Sequence, residues 1–205
     1  MSTLLQINTS LFAGNGQSTQ LANDFVREWQ ADHADAKVIV RDLAADPVPH
    51  LNVARLSALG TPAEQRNAEQ VEVAAFSDQL IAELNSADVI VIGLPLYNFG
   101  IPSSLQAYFD HVARAGVTFK YTATGPVGFF KDKRVVIFAT RGGKHVGTSR
   151  DSATAHVRNF LGLIGLTDVE FIYAEGLNID APTREQEMSA ARLRSSQLAH
   201  SPSFA

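Results

Sequence analysis

Three short segments of the chain carry the side chains that could bind and transform a ligand. Segment 9–19 combines hydroxyl groups and glycines directly before a predicted helix. Segment 95–100 places two aromatic rings and an amide after a proline, and segment 140–145 contains two adjacent glycines. Hydroxyl and N–H groups at a helix start bind phosphate, whereas aromatic rings and bare backbone accommodate a flat ring. The pattern therefore indicates a site for a phosphorylated compound with an aromatic ring system.

Segment 9–19 lacks the two common phosphate-loop signatures, so its chemistry is inferred from residue types. No Gly-Lys-Ser/Thr follows, which excludes a Walker loop. The dinucleotide fingerprint is also incomplete, because Thr19 stands where the third glycine after Gly14 and Gly16 belongs. Two interpretations stay open: a phosphate site, or an ordinary polar loop in which Ser18 is the N-cap of the helix.

The elements that must position these segments follow from the hydrophobic pattern. Apolar runs predict the strands 4–8, 37–41, 89–94, 134–139 and 169–174. Leu21, Phe25 and Trp29 predict a first helix, and further helices are predicted over 62–84, 103–113, 156–163 and 184–198. This alternation predicts an α/β, flavodoxin-like, doubly wound sheet of five parallel strands in the order 2-1-3-4-5, with helices on both faces. In that order the three segments open on one edge of the sheet.

Other parts of the chain show weaker patterns. Segment 42–61 has little periodicity and is predicted to be a long connection. Segment 116–133 is predicted to be irregular, with a turn at Thr124-Gly125-Pro126. Gly165 is predicted to end a helix, and residues from about 200 to 205 to form a frayed tail of one domain spanning 1–205.

Composition excludes several classes of function. A formal net charge of -4 argues against a nucleic-acid-binding surface. The absence of cysteine excludes thiol nucleophiles and fits a reducing compartment, and the histidines show no zinc-binding spacing, so no metal is predicted. No secretion signal is recognised and no apolar run approaches the roughly 20 residues that span a membrane. We expect a cytoplasmic protein.

Several motifs together resemble one known family. They are 41–45 (RDLAA), 96–99 (LYNF), 105–110 (LQAYFD), 112–119 (VARAGVTF), 125–126 (GP), 140–143 (TRGG) and 165–169 (GLTDV). In this order and spacing the chain resembles the FMN-dependent NADH-azoreductases, which belong to the flavodoxin-like NAD(P)H quinone reductases. The resemblance covers nearly the whole chain.

The resemblance implies an oxidoreductase that uses NADH to reduce quinones and azo compounds through FMN. It implies two-step (ping-pong) chemistry, in which NADH reduces FMN and departs before the acceptor binds. It also implies a homodimer, with one tightly bound FMN per subunit at the interface.

Matching positions imply which residues contact FMN. They are Ser10, Gly16, Gln17, Ser18, Leu96, Tyr97, Asn98, Phe99, Thr140, Arg141, Gly142 and Gly143. Gly16 stands where relatives often have serine, so one hydroxyl is lost while the backbone N–H remains. Thr140 also replaces a frequent serine and keeps the hydroxyl. We expect N–H groups around Asn98 and Gly142–Gly143 to donate to the ring and to stabilise the negative charge that develops on reduction.

The slot for NADH and acceptor is predicted to have aromatic walls. Phe99, Phe119 and Tyr121 are the candidates, and ordinary core or interface packing is the alternative for each. His145 follows the glycine pair and could orient an acceptor or donate a proton to it. The alternative is an exposed histidine without a role.

Two other functions remain open from the sequence. A flavodoxin-type electron carrier acting on protein partners would share the fold, although the mild acidity and the long segments 42–61 and 114–133 favour an enzyme. A binding or regulatory module is the third possibility, since a fold does not determine a function. NADH and NADPH are not distinguished, because Arg55, Arg66, Lys120 and Lys144 are all candidates for a 2′-phosphate contact.

Overall fold

A computed structural model describes residues 2–201. Within this range the strands are β1 (Thr3–Asn8), β2 (Lys37–Asp42), β3 (Val89–Pro95), β4 (Phe119–Thr122), β5 (Gly125–Gly128), β6 (Arg134–Thr140) and β7 (Asp168–Ala174). Five of them form a parallel sheet in the order β2-β1-β3-β6-β7. Because β6 and β7 are the fourth and fifth predicted strands, the predicted order 2-1-3-4-5 is confirmed.

Helices cover both faces of the sheet, as predicted. They are α1 (Gln17–Asp32), α2 (Val53–Gly60), α3 (Ala68–Ser86), α4 (Ser103–Val112), α5 (Ser152–Ile164) and α6 (Ala181–Ala199). The core on one face contains side chains of α1 and α6, and the core on the other contains side chains of α3, α4 and α5. None of the helices in residues 2–201 is long and apolar enough to cross a membrane.

The central strand β3 is buried along its whole length. It pairs with β1 along one edge and with β6 along the other, and helices cover both faces of the sheet at this position. This explains why its sequence is a continuous apolar run and does not alternate. A Cβ atom at Gly93 would lie 3.2 Å from the carbonyl oxygen of Ser18, so the absence of a side chain lets the start of α1 pack directly on the strand.

The segment 42–68 differs from the prediction in two ways. The helix α2 lies inside the predicted irregular connection, where the Asn52 side chain accepts a hydrogen bond from the N–H of Arg55. The next helix begins at Ala68 and not at Pro62, because Asn67 and Gln70 form a reciprocal capping box. Pro62 instead precedes a short 3-10 turn. Cap chemistry decided both boundaries.

Segment 116–133 contains the antiparallel hairpin β4–β5, which the prediction of an irregular stretch missed. The turn between its strands lies at 123–124, so only Thr124 of the predicted turn is part of it, and Gly125 and Pro126 belong to β5. Gly165 ends α5 in the left-handed conformation, with φ of 100°, as predicted. A Cβ atom at Gly128 would lie 2.0 Å from the backbone N of Gly165, so the hairpin packs backbone to backbone on the end of α5.

The closing helix α6 ends at Ala199. His200 follows it, and its Nδ1 lies within hydrogen-bond distance of the Asp32 carboxylate at the end of α1. The rest of the predicted frayed tail, residues 202–205, lies outside the described residues.

A buried ion pair attaches the chain after β2 to α3. The guanidinium of Arg41 is bidentate on Glu83, with Nε 3.1 Å from Oε2, and also pairs with Asp46. The side chains of Arg41 and Glu83 are only 10% and 14% exposed, whereas that of Asp46 is 65% exposed. Most of the interaction therefore comes from Glu83.

We expect Arg41→Ala to lower the free energy of unfolding by about 3 kcal/mol, because it leaves the Glu83 carboxylate buried and unpaired. Urea unfolding measures the change. Arg192→Ala is the control: this arginine pairs with Asp24 but is 48% exposed, so we expect a loss of less than about 1 kcal/mol. Equal losses in the two variants would contradict the assignment.

Candidate functional site

The three predicted segments meet at the carboxyl edge of the sheet. The Thr9 hydroxyl donates to the carbonyl oxygen of Gly93 at 2.7 Å, which ties the end of β1 to β3. The N–H of Leu96 donates to the carbonyl oxygen of Thr140 at 3.0 Å, which ties the end of β3 to β6. Leu96 is half-buried and Thr140 is buried.

The first segment ends in a helix start without a side-chain cap. The N-cap of α1 is Gly16, so the expectation that Ser18 is the N-cap is wrong. Ser18 instead lies in the first turn, where its hydroxyl is buried without a hydrogen-bond partner among residues 2–201. Gln17 is half-buried beside it. Uncapped N–H groups and an unsatisfied buried hydroxyl fit a phosphate at the positive end of a helix.

Gly16 and Ser10 share one small space. A Cβ atom at Gly16 would lie 2.2 Å from the Ser10 hydroxyl oxygen. That hydroxyl accepts the N–H of Phe12 at 3.2 Å and lies 3.4 Å from the hydroxyl of Tyr97. A serine at position 16 would therefore displace the Ser10 side chain. The position of the Ser10 side chain thus depends on having glycine at position 16, where relatives often have serine.

The second segment is a tight, strained turn. Tyr97 and Gly100 exchange backbone hydrogen bonds of 3.1 and 2.9 Å. The two central residues, Asn98 and Phe99, have φ of 50° and 64°, the left-handed region that asparagine tolerates and a bulky residue rarely adopts. The Ser152 hydroxyl holds the turn through the carbonyl oxygen of Phe99. The Phe99 ring is 53% exposed.

The third segment is held by Arg141, whose side chain is only 2% exposed. Its guanidinium donates to Asp151 at 2.7 Å and to Thr154 at 2.8 Å, and lies 3.3 Å from Glu175. Burial alone would raise the pKa of Asp151, but hydrogen bonds from Arg141 and Thr154 outweigh it and lower that pKa. The N–H of Arg141 donates to Ala174. The side chain of Arg141 therefore lies inside the protein and fixes the loop, and its implied contact with FMN stays a prediction.

The adjacent glycines pack against residues of the same chain. A Cβ atom at Gly142 would lie 2.6 Å from the Asn178 side chain, and one at Gly143 would lie 2.9 Å from the His145 ring. Their carbonyl groups accept from the backbone of Asn178 and Gly176, at 3.0 Å each. The glycines are therefore required by the packing of the loop itself.

In the segments 96–99 and 140–143, four backbone N–H groups have no acceptor among the described residues. They belong to Asn98, Phe99, Gly142 and Gly143. Unsatisfied donors on two facing loops are suited to the heteroatoms of a bound ring. The expected donation to a flavin stays a prediction, and these are the groups that could make it.

His145 lies beside Phe99. The two rings meet edge to face, with centroids 5.4 Å apart. His145 Nδ1 is buried and has no partner in the described part of the chain. The structure therefore brings together two of the residues predicted to line the substrate slot.

The other two predicted wall residues lie on the hairpin. The Tyr121 side chain is 75% exposed, whereas Phe119 is buried at 5% exposure. Their rings meet edge to face at 5.3 Å. Within one chain Tyr121 is therefore accessible to a partner or substrate, and the buried Phe119 ring packs against it.

Sequence reasoning missed the residues that organise the third segment. Glu175, Asp151, Thr154 and Asn178 contact it, and Ser152 contacts the second segment through Phe99. None of these five residues belongs to a recognised motif. Only the position of Glu175, directly after the last strand, placed it at the ligand-binding edge. In residues 2–201 no group of three His, Asp or Glu side chains is arranged to hold a metal ion.

Comparison with known proteins gives the fold family of the chain. A family model for the flavodoxin-like fold matches residues 2–198, and the chain belongs to that family. A solved azoreductase from Bacillus anthracis superimposes with a TM-score of 0.89 at 27% identity, over 97% of this chain and 99% of that one.

Curated relatives narrow the family. An FMN-dependent NADH:quinone oxidoreductase of Cellvibrio japonicus is 55% identical over 192 residues, covering 94% of this chain and 96% of the relative. FMN-dependent NADH:quinone oxidoreductase 6 of Burkholderia lata is 53% identical over 192 residues, covering 94% of this chain and 97% of the relative. The chain belongs to the family of these oxidoreductases, which confirms the resemblance carried by its motifs.

The backbone strain at Phe99 can be tested with two substitutions that both remove the ring. We expect the free energy of unfolding of Phe99→Val to be about 1 to 2 kcal/mol lower than that of Phe99→Asn. The reason is that asparagine tolerates the left-handed conformation, whereas a β-branched residue does not. Urea unfolding of both variants measures the difference. Identical midpoints and slopes would show that the turn carries no such strain.

Proposed function

We propose that this protein is an FMN-dependent oxidoreductase that uses NADH to reduce quinones and azo compounds in two separate half-reactions. The named activities of its relatives support the assignment. One observation carries it: unsatisfied donors at the uncapped start of α1 lie on the same sheet edge as the free N–H groups of two facing loops. The first set suits a phosphate and the second a polar ring.

The residues divide into two groups toward FMN. Ser10, Gly16, Gln17 and Ser18 would hold the phosphate. The segments 96–99 and 140–143 would hold the ring, with Arg141 acting through the loop that it fixes. We propose one tightly bound FMN per subunit.

Bound FMN supplies the redox chemistry, accepting a hydride from NADH and passing two electrons to the acceptor. A quinone would become a hydroquinone by gaining these two electrons and two protons. The transferred hydride accounts for one proton, and solvent or a side chain supplies the other. The N–H groups of Asn98, Phe99, Gly142 and Gly143 are fixed donors that would stabilise negative charge at the ring. Phe99, Phe119, Tyr121 and His145 would form the slot for NADH and acceptor, and His145 would orient the acceptor or donate a proton.

The proposal includes a homodimer with the sites at the interface. Tyr121, Val127 and Phe129 are exposed apolar side chains on or beside the hairpin, and a second subunit would cover them. It also includes a cytoplasmic location, which the cysteine-free composition favours.

Two of the four basic side chains considered for a 2′-phosphate are already engaged. Arg66 donates to the carbonyl groups of Ala58 and Thr61, and Lys144 pairs with Glu187 at 3.0 Å. Only Arg55 and Lys120 then remain as candidates. NADH as the donor is proposed from the named activities of the relatives.

Anaerobic stopped-flow absorbance tests the two half-reactions separately. We expect NADH to bleach the yellow FMN-loaded protein, and a quinone or an azo dye, mixed afterwards, to restore the flavin colour without NADH present. Purified protein that does not oxidise NADH would overturn the proposal and favour an electron carrier. Slow reoxidation by both acceptors would overturn the reductase assignment.

The phosphate contact has its own test. We expect Ser18→Ala to weaken FMN binding roughly tenfold or more, because it removes a hydrogen bond to a charged group. Fluorescence titration of the flavin-free protein measures the dissociation constant. Ser195→Ala is the matched control. Ser195 also has a buried hydroxyl without a partner among residues 2–201, but it lies on α6 and not on the three segments of the candidate site. Equal FMN affinity in wild type and Ser18→Ala would exclude the contact.

A further inference from the structure

We propose that Glu175 is a positioning residue of this site, which fixes the loop 141–146 and thereby places His145 and the two glycine N–H groups. The inference rests on the proposed function, because it explains how that site keeps its shape. Glu175 directly follows β7 and lies on the carboxyl edge of the sheet.

The loop after β6 needs an external anchor. Residues 141–151 form no helix or strand, yet they carry two of the free N–H groups and the His145 ring. Turns close its second half, where the N–H of Thr148 donates to the carbonyl oxygen of His145 at 3.0 Å, but residues 142–144 donate no backbone hydrogen bond among residues 2–201. Without external contacts this first half would sample many conformations, and the donors would move away from a ligand.

A single carboxylate oxygen provides this anchor. Glu175 Oε1 accepts the N–H of His145 at 2.7 Å and the N–H of Val146 at 3.0 Å, and lies 3.3 Å from a guanidinium nitrogen of Arg141. Hydrogen bonds to an ionised acceptor are about twice as strong as neutral ones. The Glu175 side chain is only 14% exposed, so solvent screens these bonds little.

Other contacts attach the two ends of the loop 141–151. Arg141 also pairs with Asp151, the N-cap of α5, so the guanidinium connects the first residue of the loop to its last. The backbone N–H groups of Gly176 and Asn178 donate to Gly143 and Gly142. Glu175 therefore holds the middle of a loop whose two ends are already attached.

The consequence reaches the substrate slot through His145. Its backbone N–H is bound by Glu175, and its ring lies against Phe99 and above Gly143. Without the carboxylate the two amides at 145 and 146 lose their acceptor, and the ring loses its defined place. Among residues 2–201, the hydrogen bonds of Glu175 go to Arg141, His145 and Val146, so Glu175 would act through these residues.

Three variants separate positioning from general stability. Glu175→Ala removes the acceptor, Glu175→Gln keeps an acceptor oxygen without charge, and Glu170→Ala is the control. Glu170 lies on β7, the strand that Glu175 follows. It forms an ion pair with Arg194 at 2.8 Å, but the Arg194 side chain is 63% exposed.

Hydrogen–deuterium exchange of the FMN-loaded protein is the primary measurement. We expect Glu175→Ala to accelerate exchange of the amides at 145 and 146, Glu175→Gln to restore most of the protection, and Glu170→Ala to leave them unchanged. Unchanged exchange in Glu175→Ala, or equal acceleration in the alanine and glutamine variants, would overturn the proposal.

Steady-state kinetics gives the functional readout. We expect Glu175→Ala to lower kcat/KM for the quinone by roughly 10- to 100-fold, the order of loss that misplaced groups produce. Glu175→Gln should recover most of it, and Glu170→Ala should match the wild type. Wild-type kinetics in Glu175→Ala would refute the positioning role, whereas wild-type protein that cannot oxidise NADH would refute the proposed function itself.

Discussion

The burial of β3 on both faces is the constraint on which the rest of the structure depends. Every residue of this strand is buried, so a shift by one position would turn each side chain to the opposite face, into a space packed for a different side chain. Its neighbours β1 and β6 are held in register with it, and the loops that follow all three must leave from the same edge. Gly93 brings the start of α1 onto that edge as well. A site built from three distant segments thus follows from the packing of one strand.

Two buried arginines then determine the paths of loops that hydrophobic packing leaves undefined. Arg41 pairs with Glu83, and Arg141 pairs with Asp151 and Glu175. A buried guanidinium without a carboxylate is strongly unfavourable, so each loop adopts the path that brings its arginine to an acid. The first pair attaches the chain after β2 to α3, and the second shapes the edge where a ligand would bind.

The same edge collects polar groups that the protein does not satisfy by itself. The helices α2, α3, α5 and α6 begin with side-chain caps, from Asn52, Asn67, Asp151 and Asp180. The helices α1 and α4 have none, and α1 also contains the buried Ser18 hydroxyl, which has no partner among residues 2–201. The turn at Asn98 and Phe99 adds backbone strain and two free N–H groups. Such departures lower stability and persist where they prepare a site for a ligand.

The fold could be predicted from the chain because its signals are local. Continuous apolar runs mark the strands of the parallel sheet, and the strand order follows from their alternation with helices. The helix α2 and the start of α3 were missed, since a cap such as Asn67 depends on which of several polar residues takes the role. The hairpin β4–β5 was missed because glycines and a proline weaken its strand pattern, and its packing on Gly165 is a long-range contact.

The amino-acid sequence by itself determined the strand order, the three segments of the site and the family. It could not determine what individual side chains do within those segments. The resemblance implies that Arg141 and the two glycines contact FMN, which stays a prediction. The fold adds that the guanidinium lies in the interior and that the glycines pack near Asn178 and His145. Glu175 carried no motif and still accepts three donors of the loop. Residue types limit which bonds are possible, whereas only the three-dimensional packing decides which donors and acceptors lie within 3 Å of each other.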